Sequence, residues 1–161
     1  KIMILWFTGQ PGSGKTTLAK ALIKCIHNQK VFLKKMNLGN RIFHLDGDDL
    51  RDTLDNKDYS EKGRRKNIQF AIDMAKVLDN KGFIVIVSLV SPYRDMREKL
   101  KMERNIAEFY LHTTETRGRE DYFVDDYEPP LHNFTGINTN RSIQECINEI
   151  LNVYREMAAV S

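Results

Sequence analysis

Residues 9–16 read G-Q-P-G-S-G-K-T, and this octapeptide constrains the fold more than any other part of the sequence. It satisfies the pattern G-x-x-x-x-G-K-[ST], and its flanks matter as much as its letters. Before it lies the apolar run Ile2 to Phe7, which reads as a strand; after it, Lys15 to about Asn28 reads as an amphipathic helix. A strand, a glycine-rich turn and a helix in that order make a phosphate cradle. Gly9, Gly12 and Gly14 let the backbone curl until its N–H groups point inward, and the positive end of the helix dipole reinforces the nest they form. The stretch Gly9, Gln10, Pro11, Gly12, Ser13, Gly14, Lys15, Thr16 and Thr17 is therefore expected against the phosphates of ATP or GTP. Within it, Lys15 brings a compact charge to the β- and γ-phosphates, and the Thr16 hydroxyl can ligate a Mg²⁺ that bridges them.

The rest of the pattern extends this start into an α/β chain, a three-layer α/β/α P-loop NTPase fold with a mainly parallel sheet. Arg41 to Leu45, Phe83 to Leu89 and Ile106 to His112 read as further strands, alternating with longer amphipathic stretches. Glu61 to Asn80 places Ile68, Ala71, Ile72, Ala75 and Leu78 on one helical face. A last helix opens with Ser142 and Glu145 in capping-box spacing and is expected to bury Ile143, Ile147, Ile150, Leu151 and Tyr154. At 161 residues the chain suits one kinase domain, residues 1–161, whose long irregular stretch 113–141 is expected to form a lid and substrate loop.

Composition narrows the ligand class. The formal net charge of +3 attracts small anions but lacks the dense basic stripe of a nucleic-acid binder. The longest apolar runs, Ile2 to Phe7 and Phe83 to Val90, fall far short of the ~20 residues that span a bilayer, so no membrane partner is expected. With no signal peptide before the first strand, the expected setting is the cytoplasm. Cys25 and Cys146 lie far apart, in no metal-ligand spacing, and are expected as free thiols.

A kinase must also hold an acceptor, and the candidates cluster beyond strand ends. Leu45 to Arg51 reads L-D-G-D-D-L-R, where the carboxyl end of a parallel strand opens into the ligand crevice. Asp46 can hold a water of the Mg²⁺ shell, and Asp48 can orient an attacking hydroxyl and take its proton. An Asp-rich helix cap would also account for this turn. Arg51, on the same face as Asp48 in a helix, can grip an acceptor phosphate. Tyr59-Ser60 precedes Arg64 and Asn67, helical neighbours suited to an anion and a nucleobase edge, although a solvated face would look the same. After the third strand comes S-L-V-S-P-Y-R from Ser88, with Arg97 one turn on, at another strand end that can touch ligand. That strand ends without a carboxylate, so the acidic turn must supply the usual second acidic group.

In this order and spacing, G-Q-P-G-S-G-K-T-T, L-D-G-D-D-L-R, Y-S-x-x-x-R-x-x-N and S-x-V-S-P-Y-R resemble the adenylylsulfate kinases over roughly residues 1–112. The resemblance implies transfer of the ATP γ-phosphate to the 3′-hydroxyl of adenosine 5′-phosphosulfate, with ATP and Mg²⁺ as cofactors and a nucleotide as acceptor. It makes Asp48 the base, with Lys15 also catalytic, and Arg51, Arg64 and Asn67 acceptor ligands. Tyr59 takes the place of an aromatic residue packed on the adenine, and Ser91, Pro92 and Tyr93 line the same pocket. Members of that family are commonly dimers, so a homodimer is a further expectation.

Beyond residue 112 the pattern departs. Asn133 to Asn138 reads N-F-T-G-I-N, close to the family's lid motif N-F-T-G-I-D, but Tyr127-Glu128-Pro129-Pro130 precedes it, whereas the family's Y-E-x-P follows its lid motif. Anchoring on Tyr127 to Pro130 preserves the distance to the last helix and sets Phe123 where the lid phenylalanine would be. The lid is then short and without its lysine, and Arg117 or Arg119 is the candidate replacement for that charge. This departure keeps other readings open: phosphorylation of a cytidine diphosphate derivative such as cytidine diphosphoramidate, a more distant polynucleotide 5′-kinase, or a non-catalytic nucleotide-binding module.

Overall fold

The computed structural model describes residues 4–29 and 41–159. Its elements run β1 (Ile4–Thr8), α1 (Lys15–Asn28), β2 (Ile42–Asp46), α2 (Gly47–Leu54), α3 (Glu61–Asn80), β3 (Ile84–Ser88), α4 (Arg94–Glu103), β4 (Ile106–His112), a 3₁₀ turn (Glu120–Tyr122), β5 (Thr135–Asn138) and α5 (Ile143–Ala159). The five strands form one sheet in the order β2-β3-β1-β4-β5, and every neighbouring pair is parallel. Part of the expected first strand, Ile2 and Met3, lies outside the described residues.

Alternation along the strands explains the layers. Ile4 and Trp6 of β1, with Val85 and Val87 of β3, pack against Ile68, Ala71, Ile72 and Ala75 of α3 and Leu100 of α4. Their neighbours Leu5, Phe7 and Ile86 turn to the other face, against Leu18 and Leu22 of α1 and Ile147, Ile150 and Tyr154 of α5. Because β1 and β3 are covered on both faces, they read as unbroken apolar runs. The α/β/α order is therefore as expected.

Two expectations need correction. The stretch 113–141 is not irregular throughout: Thr135–Asn138 is a fifth strand, in register with Phe109–His112 of β4. Only Ile137 in it is buried, so a short edge strand containing Gly136 carries almost no apolar signal. Ile143 is 49 % exposed rather than buried, and Cys146 fills that helical face instead. The cap itself forms, since the Glu145 N–H donates to Ser142 Oγ at 3.2 Å. Both cysteines are free thiols.

The central β1 neighbours β3 on one side and β4 on the other, so the chain leaves β1 where the sheet's order reverses. Loops at the carboxyl ends of β1, β2 and β3 converge there, as ligand crevices do in open α/β sheets.

Candidate active site

The turn after β1 depends on glycine where the backbone passes close to neighbours. A Cβ on Gly9 would sit 2.4 Å from the Leu111 carbonyl oxygen and 2.7 Å from Ser13 Oγ. Gly12, at φ +81°, lies under Arg119, whose Cβ would be 3.1 Å from an added Cβ. Lys15 is buried, and its Nζ donates to the carbonyls of Gly9 (2.9 Å) and Gln10 (2.8 Å) and to Ser13 Oγ (3.3 Å). Burial lowers the Lys15 pKa to about 8, against the opposing pull of Asp46 and Asp48.

Asp46, the last residue of β2, collects hydrogen bonds. Oδ1 accepts from Thr16 Oγ1 and from Ser88 Oγ, each at 2.7 Å, and Oδ2 accepts from the Asp48 N–H at 3.3 Å as the cap of α2. Burial alone would raise its pKa, yet the Thr16 and Ser88 bonds prevail and hold it below the ordinary carboxylate range. His44 Nε2 stands 2.7 Å from Ser88 Oγ, with its own pKa lowered by burial. The sequence marks Ser88 only as the first residue of a strand-end run, and gives His44 no role. The available signal was register: Asp46 and Ser88 end adjacent parallel strands, side by side.

A cleft of about 790 Å³ gathers most of the expected site. Its lining takes Pro11, Gly12, Gly14, Lys15, Thr16 and Thr17 from the cradle, together with Asp46, Asp48, Arg51, Tyr59, Arg64, Asn67, Ser91, Pro92, Phe123, Arg117 and Arg119. Asp48 is exposed on α2. Arg51 Nη1 donates to the carbonyls of Asn56 (3.0 Å) and Asp58 (3.1 Å), and its guanidinium lies 4.1 Å from the Tyr59 ring centroid. Asn67 is buried, and its Oδ1 has no hydrogen-bond partner among the described residues. Arg64 stands 3.8 Å from Asp126 of the lid stretch.

Tyr93 does not reach this cleft. Ser91 takes a left-handed φ of +40°, the chain turns there, and Tyr93 is buried beneath the Arg65 guanidinium, 4.3 Å from its ring centroid. Arg97 is likewise buried, paired with Glu108 rather than facing ligand. Gly9, Gln10 and Ser13 lie behind the cradle surface rather than on the cleft wall.

The lid stretch is anchored directly on the cradle. Gln10 makes two bonds to Val124, Nε2 donating to its carbonyl and Oε1 accepting from its N–H, both at 2.9 Å. Arg117 donates to the Gly12 carbonyl at 3.1 Å and to Thr139, through Oγ1 at 3.1 Å and the carbonyl at 2.6 Å. Thr139 Oγ1 in turn donates to the Ser13 carbonyl at 2.7 Å. Tyr127 closes the base of the stretch through a 2.8 Å hydrogen bond with Thr8 Oγ1, and burial pushes its hydroxyl pKa up to about 12. The N-F-T-G-I-N hexapeptide runs into β5, away from the cleft, whereas Phe123 lines it.

Comparison with known proteins gives a consistent answer. A family model described as adenylylsulphate kinase matches residues 1–145. An adenylyl-sulfate kinase of Prochlorococcus marinus is 32% identical, with 99% of this chain and 87% of that protein aligned. One from Geotalea daltonii is 36% identical over 85% of this chain and 67% of its own length. An APS kinase of Mycobacterium tuberculosis, solved in complex with AMPPNP and APS, superposes with a TM-score of 0.74, covering 96% of this chain and 98% of its own at 21% identity, a likeness of fold. With a phosphate cradle, an acidic turn and a family match spanning most of its length, the chain belongs to the adenylylsulphate kinase family of ATP-dependent P-loop kinases.

Proposed function

We propose that the chain transfers the γ-phosphate of MgATP to the 3′-hydroxyl of adenosine 5′-phosphosulfate, giving 3′-phosphoadenylyl sulfate and ADP. One observation carries this reading: a single cleft is lined both by Lys15 and Thr16 and by Asp48, Arg51, Arg64 and Asn67. Such a cleft can hold a triphosphate and a second nucleotide end to end. A hydroxyl and an ionised carboxylate, Thr16 and Asp46, are the hard oxygen ligands Mg²⁺ takes, directly or through its water. Bound there, the ion would offset the negative charge that develops on the phosphates during transfer.

The chain's own residues then divide the work. Lys15 and the cradle amides orient the triphosphate so that its γ-phosphorus faces the acceptor. Asp48 holds the 3′-hydroxyl and accepts its proton as the new O–P bond forms. The bond from the γ-phosphorus to the β,γ-bridging oxygen breaks, and its electrons leave with ADP. Arg51 and Arg64 supply charge for the acceptor's anionic groups, Asn67 offers an unpaired amide oxygen, and Tyr59 and Phe123 offer faces for the base. Arg117 and Arg119 replace the missing lid lysine beside the cradle.

A second reading keeps the chemistry and changes the acceptor to a cytidine diphosphate derivative. It is favoured by the lid, since no lysine occurs between Thr113 and Arg141. Coupled ADP release with MgATP separates these readings. Adenylyl sulfate should support turnover; turnover with cytidine acceptors alone overturns the substrate, and ATP binding without any acceptor-dependent ADP release makes the chain a binding module.

A further inference from the structure

Arg97 and Glu108 form a charged pair in the interior, with side chains 1% and 0% exposed and Arg97 Nε donating to Glu108 Oε2 at 2.9 Å. A buried pair is poor evidence for stability, because desolvating both charges offsets much of their attraction. What the guanidinium does with its remaining donors is more informative. Nη1 donates to the Ser91 carbonyl at 2.5 Å, and Nη2 donates to the Glu128 carbonyl. One rigid fork thus holds two backbone points from different parts of the chain. Ser91 is the residue at φ +40°, a conformation that needs outside support. With Pro92 it lines the cleft. Glu128 lies midway along the stretch 113–141, and the same junction is tied again by the Glu128 N–H to the Pro92 carbonyl (2.8 Å) and by the Arg94 N–H to Glu128 Oε1 (3.2 Å).

We infer that Arg97, oriented by Glu108, is a positioning residue that fixes the Ser91–Pro92 wall of the acceptor pocket to the base of the lid. This rests on the reading of that wall as the acceptor side. Arg97 touches no substrate: it sets the width of the pocket and the point from which the lid closes over it. Lys101 supplies a built-in comparison. Its Nζ donates to Glu108 Oε1 at 2.8 Å and to the His132 carbonyl at 3.0 Å, so it supports the same carboxylate without holding either Ser91 or Glu128.

The test is Arg97→Lys, which keeps the charge beside Glu108 and loses the fork. With adenylyl sulfate, the acceptor KM should rise about tenfold or more while the ATP KM stays within about twofold, since a displaced wall misplaces only one substrate. Lys101→Met should lower the melting temperature and leave the ratio of the two KM values unchanged. Equal changes in both KM values in Arg97→Lys, or the same acceptor effect from Lys101→Met, would reduce Arg97 to a packing residue and overturn the inference. If Arg97→Lys does not fold, Glu128→Ala removes the bond to the Arg94 N–H and should raise the acceptor KM alone by a smaller factor; an unchanged acceptor KM there overturns it too. Hydrogen exchange gives a readout free of the acceptor's identity. In Arg97→Lys the Glu128 amide should exchange faster while the Leu18 amide of α1 does not, and unaltered exchange at Glu128 is decisive against the inference even if adenylyl sulfate proves to be the wrong substrate.

Discussion

The phosphate cradle and the rest of the cleft lining are built in opposite ways. The cradle is one continuous run, Gly9 to Thr17, whose shape follows from local rules: glycines where neighbours crowd the backbone, and a helix start at Lys15. The rest of the lining draws Asp48 and Arg51 from α2, Arg64 and Asn67 from α3, Ser91 and Pro92 from the loop after β3, and Phe123 from the stretch 113–141. Each arrives by a different crossover, and its position depends on how the layers pack. A local device keeps its chemistry wherever its short motif folds; an assembled one changes when any contributing segment changes, and residues 113–141, which bring in Phe123, are one such segment.

This contrast can be strained experimentally. The largest effect is expected from Lys15→Met, which should weaken ATP binding and lower turnover by about 10²–10³-fold, since one positioned charge at developing negative charge is worth that much. Asp48→Asn sharpens the division: turnover should fall by ~100-fold with ATP affinity unchanged in equilibrium dialysis, and near-normal turnover would remove Asp48 as the base. Arg117→Ala cuts across the division, because Arg117 belongs to the lid stretch but holds the Gly12 carbonyl. About a tenfold loss of ATP affinity is expected from losing charge-assisted bonds; a change in acceptor KM alone would put Arg117 on the acceptor side instead.

The smallest effect is a pH dependence confined to the cradle. With its pKa lowered to about 8, Lys15 loses its proton in the free enzyme as pH rises through that value, so ATP affinity should fall by less than about tenfold between pH 7 and 9. The acceptor KM should not follow. For stability the sign is reversed. The unfolded chain holds this proton up to about pH 10.5, so Lys15 opposes folding below pH 8 and this cost is relieved as pH rises from 8 to 10.5. Isothermal titration and melting curves across this range check both statements.

The same contrast explains what could be read from the sequence. Much that is set by near neighbours was legible: the cradle, the buried face of α3, the cap at Ser142, and the parallel strands rich in β-branched residues. Tyr93 was placed wrongly because the turn at Ser91 is a backbone conformation held by Arg97 and Trp6, and Trp6 Nε1 donates to Ser91 Oγ from a residue 85 positions away. β5 stayed hidden because an edge strand that buries little but Ile137 has no alternation to show. The bonds from Gln10 to Val124 and from Arg117 to Gly12 join segments more than a hundred residues apart, and no spacing rule reaches that far.

Thr139, at the end of β5, has a consequence for how far this enzyme can be reduced. Its hydroxyl pins the Ser13 carbonyl and its backbone receives Arg117, so the far edge of the sheet braces the nucleotide loop from behind. A fragment cut before that edge would retain every letter of the glycine-rich signature yet lack the buttress that stiffens it. Minimised or chimeric versions of such a protein should therefore carry the edge strand along with the loop, as one inherited unit.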